Sequence, residues 1–303
     1  MTGKMIIAGG TGVLGKLLSN AFIRQGWEVV VLSRSPADTP GKVKHVQWDG
    51  CTIGNWAAAL EDATAVVNLA GQSINTRYTT KNKKEILASR TRSTAILGKA
   101  ISRCHQPPAV WINAGGISGF EPTTTIFTER DIPTGTGFLA ELSKQWEAAF
   151  TQADTPATRK VQLRMSPVLL SKGGMLAPLV SLAKWGLGGT VGKGDQYISW
   201  IHERDFVKLI VWIIDHARVA GVIHASSPNP VTNAEFMRAL RQEVGVSIAI
   251  PTPDWAVRLG ASVIGTDPQL ALDGHRVVSH VLAEAGFQFD FPEIRGALQN
   301  LML

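Results

Sequence analysis

Short apolar runs alternate with helical patterns over the first two-thirds of the chain. Six of these runs are rich in Val and Ile, are bounded by Gly, Pro or Asp, and predict β-strands. They cover residues 4–8, 27–32, 43–48, 65–69, 109–113 and 160–165. Apolar residues at helical spacing from Leu14 to Phe22 predict a first helix that ends near Gly26. Strands joined through helices pair in parallel by right-handed crossovers, so the pattern predicts a Rossmann-like, doubly wound parallel sheet of the α/β class.

After residue 165 the regular alternation of predicted strands and helices ends. Residues 171–194 are rich in glycine, and a further strand is predicted at 221–225. Helices are predicted at residues 205–217, at 234–244 after a capping-box pattern, around Leu259, and at 277–285. Because no linker or internal repeat separates these elements from the rest, we expect a smaller C-terminal lobe on the same body.

Composition and charge restrict the classes of function. The chain has 303 residues, of which 45% are hydrophobic and 18% charged, a balance typical of globular proteins. No apolar run reaches membrane-spanning length and the N-terminal segment lacks a signal-type apolar core, so we expect a cytoplasmic protein without a membrane partner. Cys51 and Cys104 have no CxxC spacing and are expected to be reduced thiols.

The formal net charge is +6, and basic residues concentrate in one predicted helix. They are Lys81, Lys83, Lys84, Arg90, Arg92, Lys99 and Arg103. Nucleic-acid faces usually combine basic residues with aromatic ones or with a known motif, and this segment has neither. We therefore expect no nucleic-acid partner, and interpret the segment as a solvated face with one or two arginines turned toward a phosphate-bearing small molecule.

The stretch AGGTGVLG follows the first predicted strand and opens the first predicted helix. Its glycines satisfy both GxxGxxG and GxGxxG, in the strand–turn–helix context that a dinucleotide-binding loop requires. Glycines allow a tight turn and let the backbone approach a pyrophosphate, which then sits on the helix N-terminus. The alternative, a plain strand-to-helix turn, needs no such spacing.

The end of the second predicted strand discriminates between the two nicotinamide dinucleotides. An acidic residue there binds the ribose hydroxyls of NAD, whereas a basic residue accepts the 2′-phosphate of NADP. The sequence VVVLSRS places Ser33 and Arg34 at this point, and the next acid is Asp38. Since a guanidinium binds phosphate well and a carboxylate repels it, we predict NADP(H) as the cofactor. The alternative, that Arg34 is only a surface residue, leaves the missing acid unexplained.

These motifs, together with several others, carry a resemblance to a known family. The others are VVNLAGQ (66–72), KKEILASR (83–90), FLAELSKQWEAA (138–149), GLGG (186–189), WIHERD (200–205), PVTNAEF (230–236) and EAGFQFDFP (284–292). The chain resembles the extended short-chain dehydrogenase/reductase superfamily over nearly its whole length. More narrowly, it is similar to the branch called epimerase family proteins, which resemble nucleotide-sugar epimerases and sometimes carry a cell-division-inhibitor-like label.

The resemblance implies a set of cofactor-binding positions. The pyrophosphate loop would be formed by Gly9, Thr11, Gly12, Val13 and Leu14. The remaining cofactor contacts would be Ser33 and Arg34 at the 2′-phosphate, Leu69 and Ala70 along the cofactor, Glu85 and Arg90 from the following helix, and Val168 at the nicotinamide end. It also implies residues 1–170 as the NADP(H)-binding domain, to which 200–225 return, with 171–200 and 226–303 forming the substrate lobe. Such proteins act on small-molecule carbonyls or nucleotide-sugars, as monomers or homodimers.

Two catalytic side chains of the superfamily are missing. Its enzymes use a Ser, a Tyr that moves a proton, and a Lys four residues later that lowers the pKa of the Tyr. The chain keeps Lys144, but Ala140 stands at the Tyr position and Gly115 at the Ser position. We expect Lys144 to position the cofactor. Substitute donors are Tyr78, Tyr197 and His202, although His202 is also explained as a structural residue beside Asp205.

Two functions remain open from the sequence. One is an NADP(H)-dependent oxidoreductase or epimerase-like enzyme with a substituted proton donor, in which Asn113, Ser118, Lys144 and Trp200 line the substrate pocket. The other is a non-catalytic NADP(H)-binding sensor or regulatory protein. No metal site is expected in either case.

Overall fold

In the computed structural model, which describes residues 2–35 and 43–303, the fold is built on a parallel sheet. Within these residues the sheet has seven strands. They are β1 (Lys4–Ala8), β2 (Glu28–Ser33), β3 (Val43–Gln47), β4 (Ala65–Asn68), β5 (Val110–Gly116), β6 (Arg159–Met165) and β7 (Gly221–Ala225). Their spatial order is β7-β6-β5-β4-β1-β2-β3, and every neighbouring pair is parallel. This confirms the predicted Rossmann-like α/β class; Asp38 lies outside the described residues.

The six strands predicted in the first two-thirds all form, with ends shifted by at most three residues. The largest difference is β5, which was predicted to end at Asn113 and continues to Gly116. It continues because Ala114, Gly115 and Gly116 pair with residues of β6, as Gly116 does with Met165. This register is a tertiary property that local apolar patterning does not contain.

Ten α-helices are present in the described part of the chain. They are α1 (Val13–Arg24), α2 (Thr80–Ile101), α3 (Gly137–Thr151), α4 (Leu176–Lys184), α5 (Glu203–Asp215), α6 (Asn233–Glu243), α7 (Asp254–Ile264), α8 (Gln269–Leu272), α9 (His280–Glu284) and α10 (Ile294–Met302). The predicted capping box at the start of α6 forms, with Thr232 and Glu235 bonding reciprocally. No helix in these residues is long and apolar enough to cross a membrane.

Helices cover both faces of the sheet. On one face α1 and α5 pack onto it through a core that includes Phe22, Phe206 and Ile210. On the other face α2 and α3 contribute Leu97 and Phe150 to a second core. The parallel strands are therefore buried on both sides, which is why their sequences are continuous apolar runs rather than alternating ones.

Residues beyond β6 build a third apolar core. Trp200, Phe236 and Leu298 are completely buried in it, and α4, α6 and α10 surround it. A two-stranded parallel pair joins this region to the rest, because Arg276–Val277 pairs with Ile126–Phe127, which follows β5. The C-terminal elements thus stand beside the carboxyl edge of the sheet, where α/β folds bind their ligands.

Candidate functional site

The glycine loop brings the backbone of β1, α1 and β4 into very close approach. Gly9 has φ +78°, and a Cβ on it would lie 2.8 Å from the backbone of Leu69 and of Ala70. A Cβ on Gly15 would lie only 2.4 Å from the Cα of Gly10. Glycine is therefore required at both positions, because any side chain would push α1 away from the sheet.

The N-terminal end of α1 is open on its outer side. A Cβ on Gly12 would meet only the carbonyl oxygen of Gly9, at 3.4 Å, and Thr11 and Val13 are exposed. No side chain caps this helix end. The first turns of α1, α2 and α3 all lack acidic residues, and each of these helices follows a parallel strand. Helices that follow parallel strands begin at the carboxyl edge of the sheet, so the positive end of α1 beside the glycine loop favours an anionic ligand there.

The end of β2 carries an unpaired buried hydroxyl beside an exposed guanidinium. Ser33 is 4% exposed, and its Oγ has no hydrogen-bond partner among the described residues. Arg34 is exposed and borders an open cavity of about 710 Å³. The other lining residues are Val46, Gln47, Trp48, Asp49, Thr52, Gly54, Asn55 and Trp56. This geometry provides hydrogen-bond donors next to a space of the size that a ligand moiety needs.

The acid in this cavity is engaged within its own turn. The Asp49 carboxylate accepts hydrogen bonds from the Thr52 hydroxyl at 2.6 Å and from the backbone N–H groups of Thr52 and Cys51, each at 2.8 Å. These bonds, above all the one from the Thr52 side chain, lower the pKa of Asp49 to about 2. The carboxylate is thus ionised and directed toward its own loop.

Arg90 lies against the loop that follows β4. Its Nη1 donates to the carbonyl oxygens of Gln72 at 2.9 Å and of Ile86 at 3.2 Å, and its guanidinium lies 5.0 Å from the ring centroid of Trp146. Burial lowers the pKa of Arg90 to about 10. Glu85 is exposed on the same helix, and its carboxylate accepts a 3.4 Å hydrogen bond from the Gln72 side chain.

Tyr78 lies just before α2 and packs against α3. Its ring contacts Phe138 edge-on, with the centroids 4.9 Å apart, and its hydroxyl is buried without a partner among the described residues. Burial raises the pKa of Tyr78, and Asp267 and Asp273 raise it further, against a lowering effect of Arg90. The phenol is therefore protonated near neutral pH, so it can donate a hydrogen bond or a proton but cannot act as a base.

Gly115 and Ala140, at which the resemblance implies a serine and a tyrosine, have no free space beside them. A Cβ on Gly115 would lie 2.3 Å from the Nε2 of Gln162, and Ala140 is 2% exposed. The Nε2 of Gln162, 4% exposed as a residue, has no partner among the described residues. Lys144 remains accessible, and its Nζ donates to the carbonyl oxygen of Gly135 at 2.7 Å.

His202 is a buried capping residue. Its Nδ1 accepts a 3.0 Å hydrogen bond from the backbone N–H of Arg204 at the start of α5, and its ring stacks on Phe291 at 3.8 Å. Burial lowers the pKa of His202 to about 4, so the ring is neutral. With no exposed surface it cannot reach a substrate in this conformation, which favours the structural alternative for His202 over a role as proton donor.

Asn113 and Trp200 are also completely buried. The Oδ1 of Asn113 accepts a 2.7 Å hydrogen bond from Asn68, and the Trp200 indole donates to the carbonyl oxygen of Asn229 at 3.1 Å. This burial corrects the expectation that both side chains line a substrate pocket. Each instead satisfies a polar group inside a core.

The remaining predicted residues are partly accessible or line the core. Ser118 and Tyr197 are half-buried, and the guanidinium of Arg276 covers the Tyr197 ring at 4.3 Å. Val168 is 9% exposed and packs in the core on the α1 and α5 face. Leu14 is half-buried at the start of α1.

Two features of the site were not predicted: the cavity beside Arg34 and the approach of the Gln162 amide to Gly115. The cavity could have been predicted. Asp49-Gly50 is a turn dipeptide soon after β3, and Arg34 follows β2. Because the carboxyl ends of parallel strands lie at one edge of the sheet, the two segments are expected to be neighbours. The approach of Gln162 could not, since its contact with Gly115 depends on the register between β5 and β6.

Comparison with known families and structures agrees with this geometry. The sequence profile of the NAD dependent epimerase/dehydratase family matches residues 5–224, and a domain of unknown function, DUF1731, matches residues 252–301. Epimerase family protein SDR39U1 of Homo sapiens is 32% identical over 304 residues, covering 99% of each chain. Epimerase family protein YfhF of Bacillus subtilis is 30% identical and covers 98% of this chain and 97% of its own.

Solved structures give the same result. The crystal structure of human epimerase family protein SDR39U1 (isoform2) with NADPH is 31% identical, with a TM-score of 0.88 and 99% of each chain covered. A nucleoside-diphosphate sugar epimerase from Corynebacterium glutamicum is 27% identical with a TM-score of 0.80; the match covers all of this chain and 58% of that one. The resemblance to epimerase family proteins is confirmed, and the chain belongs to the NAD dependent epimerase/dehydratase family.

Proposed function

We propose that this protein binds NADP(H) and is an oxidoreductase or epimerase-like enzyme with a substituted proton donor. The observation that carries the cofactor assignment is the pair at the end of β2. There, the exposed Arg34 borders an open cavity, and the buried Oγ of the neighbouring Ser33 has no hydrogen-bond partner among the described residues. A hydroxyl and a guanidinium suit a 2′-phosphate, and the related human SDR39U1 was crystallised with NADPH.

The residues present fit the rest of the cofactor. The diphosphate would lie on the open N-terminus of α1, where Gly12 has no Cβ and no side chain competes for the backbone N–H groups. The adenosine would occupy the cavity between β2 and β3. The other proposed contacts are Thr11, Val13 and Leu14 in the loop, Leu69 and Ala70 after β4, Glu85 and Arg90 on α2, Lys144 at the nicotinamide ribose, and Val168 at the nicotinamide end.

Tyr78 is the residue that best replaces the missing donor. Bound NADPH would supply a hydride. The Tyr78 phenol keeps its proton at neutral pH and has no partner among the described residues. Because its hydroxyl is buried, a substrate oxygen would reach it only after Tyr78 or the side chains that cover it move. Arg90 is the neighbouring charge that favours the phenolate, so it would stabilise Tyr78 once the proton has left. Tyr197, half-buried beneath Arg276, is the second phenol to be tested.

Turnover assays test this proposal directly. NADPH is offered with a panel of aldehydes, ketones and nucleotide-sugars, and its oxidation is followed at the nicotinamide absorbance. We expect Tyr78→Phe to abolish turnover while NADPH affinity is retained, with Tyr197→Phe as the matched control. Loss of turnover in Tyr197→Phe alone would assign the donor to that residue and refute the role of Tyr78.

A second function, a non-catalytic NADP(H)-binding sensor, is favoured by one observation. The positions of the usual Ser and Tyr are occupied, because the Gln162 amide stands against Gly115 and Ala140 is buried. In that case NADPH would stabilise a conformation that a partner recognises. Tight NADPH binding without turnover over the whole panel would support this function over the enzymatic one.

A further inference from the structure

Residues 253–273, which contain α7 and α8, have few buried contacts with the rest of the protein. Among the described side chains of this segment only Ala261 is buried. None of its described residues belongs to an apolar core. A segment with so few buried apolar contacts can open locally at a small cost in free energy while the rest of the protein stays folded. We call residues 253–273 the flap.

Both ends of the flap are attached to one neighbouring stretch, residues 190–198. Just before the flap, the carbonyl oxygen of Thr252 accepts a 2.9 Å hydrogen bond from the backbone N–H of Gly192. Just after the flap, Gly274 packs so closely that a Cβ on it would lie 2.7 Å from the backbone nitrogen of Tyr197. Backbone contacts thus hold the two ends on the same stretch, which is the arrangement that a hinge requires.

Two side-chain hydrogen bonds join the middle of the flap to the loop that ends in Tyr78. Arg77 donates to the carbonyl oxygen of Ser262, and the Thr266 hydroxyl donates to the Oδ1 of Asn75 at 2.5 Å. We call these two hydrogen bonds the latch. Arg77 and Asn75 are exposed, so water competes for their partners and each bond contributes little net stability. The latch can therefore open more easily than a buried contact.

Groups from α2, α3 and the flap surround the Tyr78 phenol, whose hydroxyl is buried. Asp267 and Asp273 of the flap raise the pKa of Tyr78 and Arg90 of α2 lowers it, so all three charged groups lie near the phenol. Phe138 of α3 contacts the ring. Because α2 and α3 pack on the sheet, the flap is the part of this enclosure that can move away.

We propose that the flap covers the Tyr78 hydroxyl and opens at the latch to admit the substrate. This inference rests on the proposed function, because it describes how a substrate oxygen reaches the same proton donor. In the closed state the flap keeps water from the phenol, and a bound substrate supplies the acceptor that the hydroxyl lacks among the described residues. The alternative, that Tyr78 turns outward by itself, requires no opening of the latch.

The test measures how fast N-acetylimidazole acetylates each of the two tyrosines, with the modified peptides identified by mass spectrometry. Arg77→Gln/Thr266→Val removes the latch. It should speed the acetylation of Tyr78 roughly tenfold, because two hydrogen bonds no longer oppose opening. Tyr197 lies at the hinge and should react at an unchanged rate. Leu259→Gln, at an α7 side chain that is 61% exposed, is the control for a change on the flap surface and should alter neither rate.

A second variant holds the flap closed. Asn75→Cys/Thr266→Cys, combined with Cys51→Ser and Cys104→Ser, places two thiols where the latch bond was, and oxidation should join them. The disulfide should slow the acetylation of Tyr78 roughly tenfold, because the latch can no longer open. It should also stop NADPH-dependent turnover while NADPH affinity stays unchanged. A reductant should restore both acetylation and turnover.

Equal acetylation rates of Tyr78 with and without the latch would overturn the proposal. Full reactivity of Tyr78, or continued turnover, in the disulfide-linked form would overturn it as well. The acetylation rates do not depend on catalysis. If they follow the state of the latch but the unmodified protein oxidises no NADPH with any substrate, the flap stands and the proposed enzymatic function fails.

Discussion

At the residue scale, the proposed preference for NADP(H) depends on two side chains, Ser33 and Arg34. NAD-binding proteins carry an acidic residue here, which binds the unphosphorylated ribose. An acid in place of Ser33 or Arg34 would put a negative charge where the 2′-phosphate is expected. The structure adds that the Ser33 hydroxyl is buried without an internal partner in the described residues. Since an unpaired buried hydroxyl is costly, a ligand that accepts its hydrogen bond is the simplest account of it.

The first prediction concerns Arg34. Arg34→Asp should weaken NADPH binding roughly 10- to 100-fold, because it replaces a charge-assisted hydrogen bond with repulsion. The same variant should bind NADH no more weakly than the unmodified protein. Arg218→Asp, at another exposed arginine, is the control. Titration of both dinucleotides by fluorescence decides the matter, and an unchanged NADPH affinity would remove the basis of the assignment.

Residues that act through local backbone geometry were predictable, and residues that depend on packing were not. The glycines of the first loop were found from their spacing, because a turn and a helix start are local features. Asn113 and Trp200 were misjudged because their burial is set by partners far along the chain, such as Asn68 against Asn113. For His202 the sequence left the structural alternative open. A polar or aromatic residue in a sequence motif can lie either in a substrate pocket or in a buried core, and the motif does not distinguish the two.

At the scale of elements, the first crossover combines two glycines with different tasks. Gly15 holds α1 against β1, whereas Gly12 leaves the outer side of the helix end free. The strand–turn–helix arrangement was predictable from sequence. The different roles of the two glycines became clear only from the distances between a Cβ added at each position and its neighbouring atoms.

The second prediction separates these two tasks. Gly12→Ala should leave the free energy of unfolding within about 1 kcal/mol of the unmodified value. It should nevertheless weaken NADPH binding tenfold or more, because the added Cβ stands on the open side of the helix end. Gly15→Ala should destabilise the fold by about 1–3 kcal/mol through overpacking. Urea unfolding and NADPH titration give both quantities, and equal effects of the two variants would contradict the division of tasks.

The third prediction concerns the attachment of α3, which carries Lys144, to the sheet. Arg164 on β6 forms a two-point ion pair with Glu147 on α3, at 2.7 and 2.9 Å, and both side chains are largely buried. Glu147→Ala leaves the guanidinium buried without its partner and should destabilise the protein by about 3–5 kcal/mol. Glu85→Ala removes the exposed 3.9 Å pair with Lys81 and should cost less than about 0.5 kcal/mol. Comparable losses in urea unfolding would show that the Glu147 pair is not a structural anchor.

At the scale of the whole molecule, the sequence predicted the parallel sheet and the position of the ligand edge. It did so because strands buried on both faces are continuous apolar runs, which a single chain displays clearly. The elements that pack around that edge could not be predicted from the sequence, because their contacts join distant parts of the chain. The approach of α7 to the Tyr78 loop joins residues such as Thr266 and Asn75 that are 191 positions apart.

The fourth prediction concerns the pH dependence of global stability. Burial lowers the pKa of His202 to about 4 in the folded protein, below the ordinary value of 6.5. Between these values the unfolded chain binds more protons, so stability is complete above pH 6.5 and falls as the pH drops toward 4. His202→Asn keeps an N-cap acceptor without the titration. The free energy of unfolding of this variant should therefore fall less between pH 7 and pH 5 than that of the unmodified protein. The difference between the two slopes should be up to about 1.4 kcal/mol per pH unit. Identical slopes in urea unfolding at the two pH values would contradict the buried neutral imidazole.

The central claim is that the edge of the sheet binds a dinucleotide carrying an additional phosphate. The most direct test is calorimetric titration of the unmodified protein with NADPH and, separately, with NADH. We expect one site per chain and at least tenfold tighter binding of NADPH than of NADH. Equal affinities for the two dinucleotides, or no heat of binding with either, would contradict it.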